Sequence, residues 1–161
     1  MTINSPTVMR ICCCLVLLFF YAGYAWSQDS LKVYPALRVD HSLKIDGELN
    51  EAIWQQAVPM TQFYQYQPIE GAAPDHPTEV RIVYDNSAIY IAAILYDSAP
   101  DSIMGELGAR DAQDINADYF RIGIDTYNKR QDCYFFGVYA SGVQFENKVS
   151  DETYDAVWES A

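Results

Sequence analysis

The stretch Glu79–Tyr96, EVRIVYDNSAIYIAAILY, decides the fold. Its first half alternates: Val80, Ile82 and Tyr84 fall on one face of an extended chain and Arg81 and Val83 on the other, because successive side chains of a strand point to opposite sides. Asp85-Asn86-Ser87 is a short polar turn, and Ile89–Tyr96 is apolar on both faces. Two such runs joined by three polar residues predict a hairpin. A run with no polar face further predicts that its second strand lies centrally in a sheet.

Working outward from this hairpin, further strand patterns appear on both sides. Ala36–Val39 is short, and Gln62–Tyr66 alternates polar and aromatic residues. Tyr119–Asp125 alternates cleanly, which places Phe120, Ile122 and Ile124 inward and Tyr119, Arg121 and Asp125 outward. Cys133–Tyr139 is another strand, and Gly142–Glu146 is its hairpin partner across the Ala140-Ser141-Gly142 turn. Short strands with turns every eight to twelve residues predict an all-β, antiparallel β-sandwich of immunoglobulin or jelly-roll type.

One short helix lies between Ala36–Val39 and the hairpin. Asp46-Gly47 makes a turn, Glu48 and Glu51 suit a helix N-terminus, and Leu49, Ile53, Trp54 and Ala57 share one face at helical spacing. Trp54 therefore reads as core, closing one end of the sandwich, in preference to an exposed stacking platform.

The first residues have a different logic. A single cation, Arg10, precedes the apolar run Ile11–Phe20 and then small or polar residues to Gln28, the order of a cleaved secretory signal peptide. The run is shorter than the roughly 20 residues that span a bilayer. Residues 1–27 are thus expected to be removed on export, to the periplasm, the outer membrane or the medium, leaving 28–161 as one domain. Of the four cysteines only Cys133 then remains, so no intramolecular disulfide can hold the fold. Asp and Glu number 22 against 10 Lys and Arg, a net charge of −12. That balance excludes nucleic acid as a partner, since its phosphates need Lys and Arg. It leaves neutral ligands and divalent cations.

The order of motifs resembles a known family. Ile45-Asp-Gly-Glu-Leu-Asn-Glu-Ala-Ile-Trp54, Thr78–Asp85, Ile89-Tyr-Ile91, Arg110-Asp111, Asp118–Asp125, Tyr134-Phe-Phe136 and Gly142-Val143 together resemble the family 9 carbohydrate-binding module-like domains. Tyr154-Asp-Ala-Val-Trp158 is similar to a subgroup that forms the N-terminal domain of larger exported proteins of Gram-negative bacteria, whose remainder looks like an outer-membrane β-barrel. The resemblance implies a non-catalytic β-sandwich that binds polysaccharide or oligosaccharide, in proteins linked to glycoside hydrolysis and carbohydrate catabolism. It also implies that the domain is incomplete at its C-terminus and packs against a downstream domain of the same protein. Xylan-binding members carry a Trp-Glu-Gln-Asp run whose Trp is one wall of the sugar clamp. Here the matching residues are Ile115-Asn-Ala-Asp118, so that ring is missing.

The candidate sugar contacts are Trp158, Tyr154, Arg110 and Asp118. Trp158 and Tyr154 sit in a polar segment where aromatic rings either stack on a pyranose or pack under further strands. The long acidic segment Asp97–Asp118 offers Asp97, Asp111 and Asp114 as ligands for Ca2+, a hard ion that takes six to eight oxygens. A solvated acidic loop is the alternative. An enzyme reading finds no support in the acids. Asp118 and Asp125 bracket one strand at an odd offset and lie about 20 Å or more apart by strand rise, too far to share a glycosidic bond. Two other roles remain open: a structural domain that has lost sugar binding and folds against a downstream barrel, and a hydrolase acting on O-glycosyl compounds through downstream chain.

Overall fold

Glu79–Tyr96 folds as the expected hairpin in the computed structural model, which describes residues 32–112 and 114–161. The expected signal segment 1–27 lies outside the described residues. The hairpin's first strand is β2, Thr78–Tyr84, and its second is β3, Ile89–Leu95, paired antiparallel from Thr78 beside Leu95 to Tyr84 beside Ile89. Asp85 makes the turn. Its Oδ1 accepts the backbone N–H of Ser87 at 2.6 Å and of Ala88 at 2.8 Å, and its Oδ2 accepts the Tyr90 hydroxyl at 2.9 Å.

Before this hairpin come β1, Leu37–Arg38, and the helix α1, Ala52–Gln56. After it come a 3-10 turn at Pro100–Ser102, then β4, Tyr119–Ile124, β5, Tyr134–Tyr139, and β6, Gln144–Lys148. The strands form two three-stranded sheets, ordered β1-β2-β3 and β4-β5-β6. The fold is all-β and sandwich-like, and residues Tyr34–Ala161 make one unit. Among the described residues no helix is long and apolar enough to cross a membrane.

The core lies on one face of the first sheet. Val83 is fully buried there with Tyr90 and Ala92 of β3, and Val39, Leu43, Trp54 and Ala57 close over them. The segment Ile45–Trp54 delivers its tryptophan as its spacing requires. Asp46 Oδ1 accepts the Glu48 N–H at 3.0 Å, Gly47 takes φ +78°, which a Cβ would disfavour, and one helical turn later the indole enters the core. Trp54 Nε1 donates to Glu51 Oε2 at 3.1 Å, so the polar edge of the buried ring is satisfied.

Three expectations are corrected. Gln62–Tyr66 is a loop, not a strand. Its backbone bonds are spent locally, Gln65 N–H to the Ala72 carbonyl and Gly71 N–H to the Gln65 carbonyl, both at 2.9 Å, where a neighbouring strand would have claimed them. β3 is an edge strand among the described residues, not a central one. Its Tyr90–Ala92 face meets the core, while Ile89 and Leu95 on its other face stay 62% and 53% exposed. β1 pairs parallel to β2, Leu37 beside Val83, so the first sheet is mixed and not purely antiparallel. Tertiary packing of Leu37 and Val39 against the Trp54 cluster sets this direction.

In the second sheet, β4 shows the expected alternation, with Phe120, Ile122 and Ile124 half-buried between exposed Tyr119, Arg121 and Gly123. The turn between β5 and β6 uses Gly142 at φ +82°. Gly137 of β5 leaves the space that the Phe145 ring of β6 fills, which a Cβ would occupy. That packing ranks the two faces of the sheet. One carries Tyr119, Tyr139 and Phe145 in mutual ring contact. The other carries Phe136 and Glu146 side by side.

Candidate functional site

Glu146 is the most deeply buried charge among the described residues, and the site is built around it. It occupies an inward position of β6 opposite Phe136, where register would normally place an apolar side chain. A buried carboxylate there needs donors on every lone pair. Arg110 Nη2 donates to Oε1 at 2.5 Å, the Ala156 N–H donates to the same oxygen at 3.1 Å, and Trp158 Nε1 donates to Oε2 at 2.7 Å. Burial pushes the Glu146 carboxyl up, and these hydrogen bonds together outweigh it, so the group sits below its ordinary value.

Arg110 is the bridge. Besides Glu146 it reaches the Ala156 carbonyl at 2.6 Å and Gln144 Oε1 at 3.0 Å, and 41% of its side chain remains exposed. The neighbouring Asp111 docks the loop onto β6. Its N–H donates to the Gln144 carbonyl at 3.0 Å, and its Oδ1 accepts the Glu146 N–H at 3.1 Å, with the residue itself at φ +63°. Aspartate tolerates that left-handed conformation better than most residues.

The C-terminal segment crosses this face in an extended form. Tyr154, Ala156, Trp158 and Ser160 turn inward, while Asp155, Val157 and Glu159 are exposed. Trp158 packs edge-to-face on Phe136, with centroids 5.6 Å apart, and Tyr154 does the same on Tyr134 at 5.2 Å. Gln144 Nε2 donates to Ser160 Oγ at 2.8 Å. Arg110, Gln144, Asp111, Asp155 and the half-buried Trp158 thus form one polar and aromatic surface.

Of the residues singled out in the sequence, the structure brings Arg110 and Trp158 onto one carboxylate and sets Tyr154 on the same face. Asp118 is elsewhere. Its side chain is exposed, and its backbone accepts from the Ala140 N–H at 2.7 Å and donates to the Met104 carbonyl at 2.9 Å. Among the metal candidates, Asp111 groups with Glu146 and Asp155, whose oxygens all lie within 4.8 Å of one another. Asp97 instead caps the Ala99 N–H at 2.6 Å, and Asp114 is exposed. A hard cation fits the Asp111 group poorly, because the Glu146 oxygens are held by Arg110, Trp158 and Ala156.

Sequence reasoning missed Glu146, Gln144 and Asp155. The one available signal was parity: an acid at 146 falls on the same face of its strand as Gln144, opposite Phe136 and Val138 of the partner strand.

Several other carboxylates sit below their ordinary values: Asp85 through the Ser87 and Ala88 N–H groups, Asp125 through the Arg130 N–H, and Asp132 through Ser150. A depressed folded value means that the unfolded chain binds more protons in the acid range. The stability these groups contribute is therefore complete above about pH 5 and is lost as pH falls through their folded values. Thermal melts between pH 2 and pH 7 are expected to show a plateau and then a steep fall below about pH 4. A midpoint that rises on acidification would contradict this assignment.

A family model described as carbohydrate family 9 binding domain-like matches residues 45–160, a span that includes α1, β2 to β6 and every residue of the site just described. No curated protein and no solved structure gives a significant match.

Proposed function

Because the chain belongs to the carbohydrate family 9 binding domain-like family, we propose that it is a non-catalytic module that holds a glycan on the surface formed by Arg110, Asp111, Gln144, Asp155 and Trp158. The family match carries this reading. The chemistry of the surface supports it. Neighbouring sugar hydroxyls are both donors and acceptors, and a part-exposed guanidinium beside exposed carboxylates and a carboxamide offers both kinds of partner at one place. Trp158 is held by its Nε1 bond to Glu146, so whatever ring surface it offers is offered at a fixed angle.

The same carboxylates are poorly suited to glycoside hydrolysis. Glu146 is held ionised by a guanidinium, whereas a general acid for glycoside cleavage needs a raised value. Any hydrolysis linked to this domain we assign to other parts of its parent protein. The apolar run Ile11–Phe20 supports export, and we place the parent in the periplasm, the outer membrane or the medium.

Titrating the full chain with soluble xylan, mixed-linkage glucan and galactomannan by calorimetry, with and without calcium, tests the reading. Saturable binding is expected, weakened about ten-fold by Asp155→Asn, an exposed position whose change leaves the fold intact. No binding by the wild type to any glycan would sink the reading. A calcium-induced rise in melting temperature without glycan would instead assign Asp111 and Asp155 to a structural ion.

Three observations favour a second role. Tyr154 and Trp158 turn toward the sheet, Ile115 stands where xylan-binding relatives are expected to carry a stacking ring, and Ile89 and Leu95 leave an apolar strip on β3 open. A structural domain docked on a downstream barrel would use these features, and it would show no glycan response in the same titration.

A further inference from the structure

We propose that the loop Gln62–Pro68 is a second carbohydrate-contacting surface, one that stacks tyrosine rings on a neutral glycan. The proposal rests on the sugar-binding reading above but uses different residues.

The loop is anchored. Met60 and Val80 exchange both backbone hydrogen bonds, at 2.8 and 3.0 Å, which fixes its start to β2. Inside it, Gln65 bonds to Ala72 and Gly71, and the Ala72 N–H donates to the Ile69 carbonyl at 3.1 Å. A backbone tied down in this way nonetheless turns large rings to solvent: Tyr66 is 81% exposed, Tyr64 64% and Phe63 37%. Scattered exposed apolar residues need no explanation, but three aromatic residues exposed within four positions of one loop are an informative exposure.

Its composition selects the ligand. Two residues of chain put the Tyr64 and Tyr66 Cα atoms no more than about 7 Å apart, within the span of a short oligosaccharide. Aromatic faces stack on the apolar C–H face of a pyranose. Gln65 and Gln67 interleave carboxamides, each of which supplies donors and an acceptor for hydroxyls. No charged residue occurs from Thr61 to Ile69, although the chain as a whole carries −12. A polyanionic glycan would meet that net charge with no local cation to offset it, so the fitting ligand is neutral.

Affinity gel electrophoresis of the full chain in mixed-linkage glucan, xylan or galactomannan, with polygalacturonate as the charged comparator, tests the proposal. Tyr66→Ala and Tyr64→Ala are expected to weaken retention by a neutral polymer about ten-fold each, while Tyr66→Phe keeps it, because the ring is the contact. Tyr66→Ala and Tyr66→Phe should melt like the wild type, since a ring 81% exposed contributes little to the core. Tyr66→Ala retained as strongly as wild type, in a gel where Asp155→Asn is weakened, overturns the loop and leaves the Arg110 surface standing. Retention by polygalacturonate alone overturns the neutral-glycan assignment. Failure of the wild type on every polymer ends both readings.

Discussion

Alanine at position 54 is expected to lower the unfolding free energy by about 3–5 kcal/mol, the usual cost of deleting a buried indole. Trp54 is 6% exposed and touches the cluster that includes Val39, Leu43, Val83 and Tyr90, so its removal leaves a cavity bounded by β1, β2, β3 and α1 at once. The surrounding strands cannot all move in to fill it. For a domain of this size the loss corresponds to a fall in melting temperature on the order of 10–20 °C. Trp54→Phe keeps most of the volume and gives up only the Nε1 bond to Glu51, so its cost should be about 1–2 kcal/mol. Glycan binding should survive in the phenylalanine variant. A Trp54→Ala protein that melts like wild type but no longer binds sugar would make this residue a platform and contradict its placement in the core.

Glu146→Ala should cost about 3 kcal/mol, the lower range for breaking a buried ion pair, because the abandoned Arg110 can turn to water. The local consequence is larger than the global one. Arg110, the Ala156 N–H and the Trp158 indole all lose the same acceptor, and these three bonds hold the C-terminal segment to β6. Limited proteolysis should therefore cut the region after Asp151 faster in Glu146→Ala than in wild type, and Trp158 emission should shift to the red. Glu146→Gln, which keeps the shape and an acceptor for the indole but loses the charge, should fall between the two. Equal proteolysis of all three proteins would show that the ring contacts, the Gln144–Ser160 bond and the Arg110–Ala156 bond hold the segment without Glu146.

The hairpin Glu79–Tyr96, the helix that carries Trp54 and the strands β4 to β6 were legible in the sequence because each rests on a local period and a local turn. Asp85 and Gly142 supply turn chemistry within a few residues of the strands they join. The parallel pairing of β1 was not legible, since two residues carry no directional signal and their partner, Val83, lies far along the chain. The alternation at Gln62–Tyr66 misled for a related reason. Polar and aromatic residues in alternation suit a half-buried strand and an exposed aromatic loop equally well, and only the partner of the Gln65 backbone separates them. At the candidate site, residue type pointed to Arg110 and Trp158. What joins them is Glu146, 36 residues from one and 12 from the other, and no local pattern encodes a meeting at that distance.

The edge of β3, unpaired among the described residues, bears on how the molecule behaves in company. Ile89–Leu95, IYIAAIL, contains no charge, no proline and no bulge, the features that commonly stop one sheet from continuing into the next. Its row of backbone groups facing away from β2 is a template for any extended chain that arrives, and its sequence has the low charge and high β-propensity of segments that assemble into cross-β stacks. Net acidity keeps copies of a chain apart, so self-association is most favoured where that acidity is locally absent. Lowering the pH, which neutralises the carboxylates, removes the repulsion and uncovers the template together.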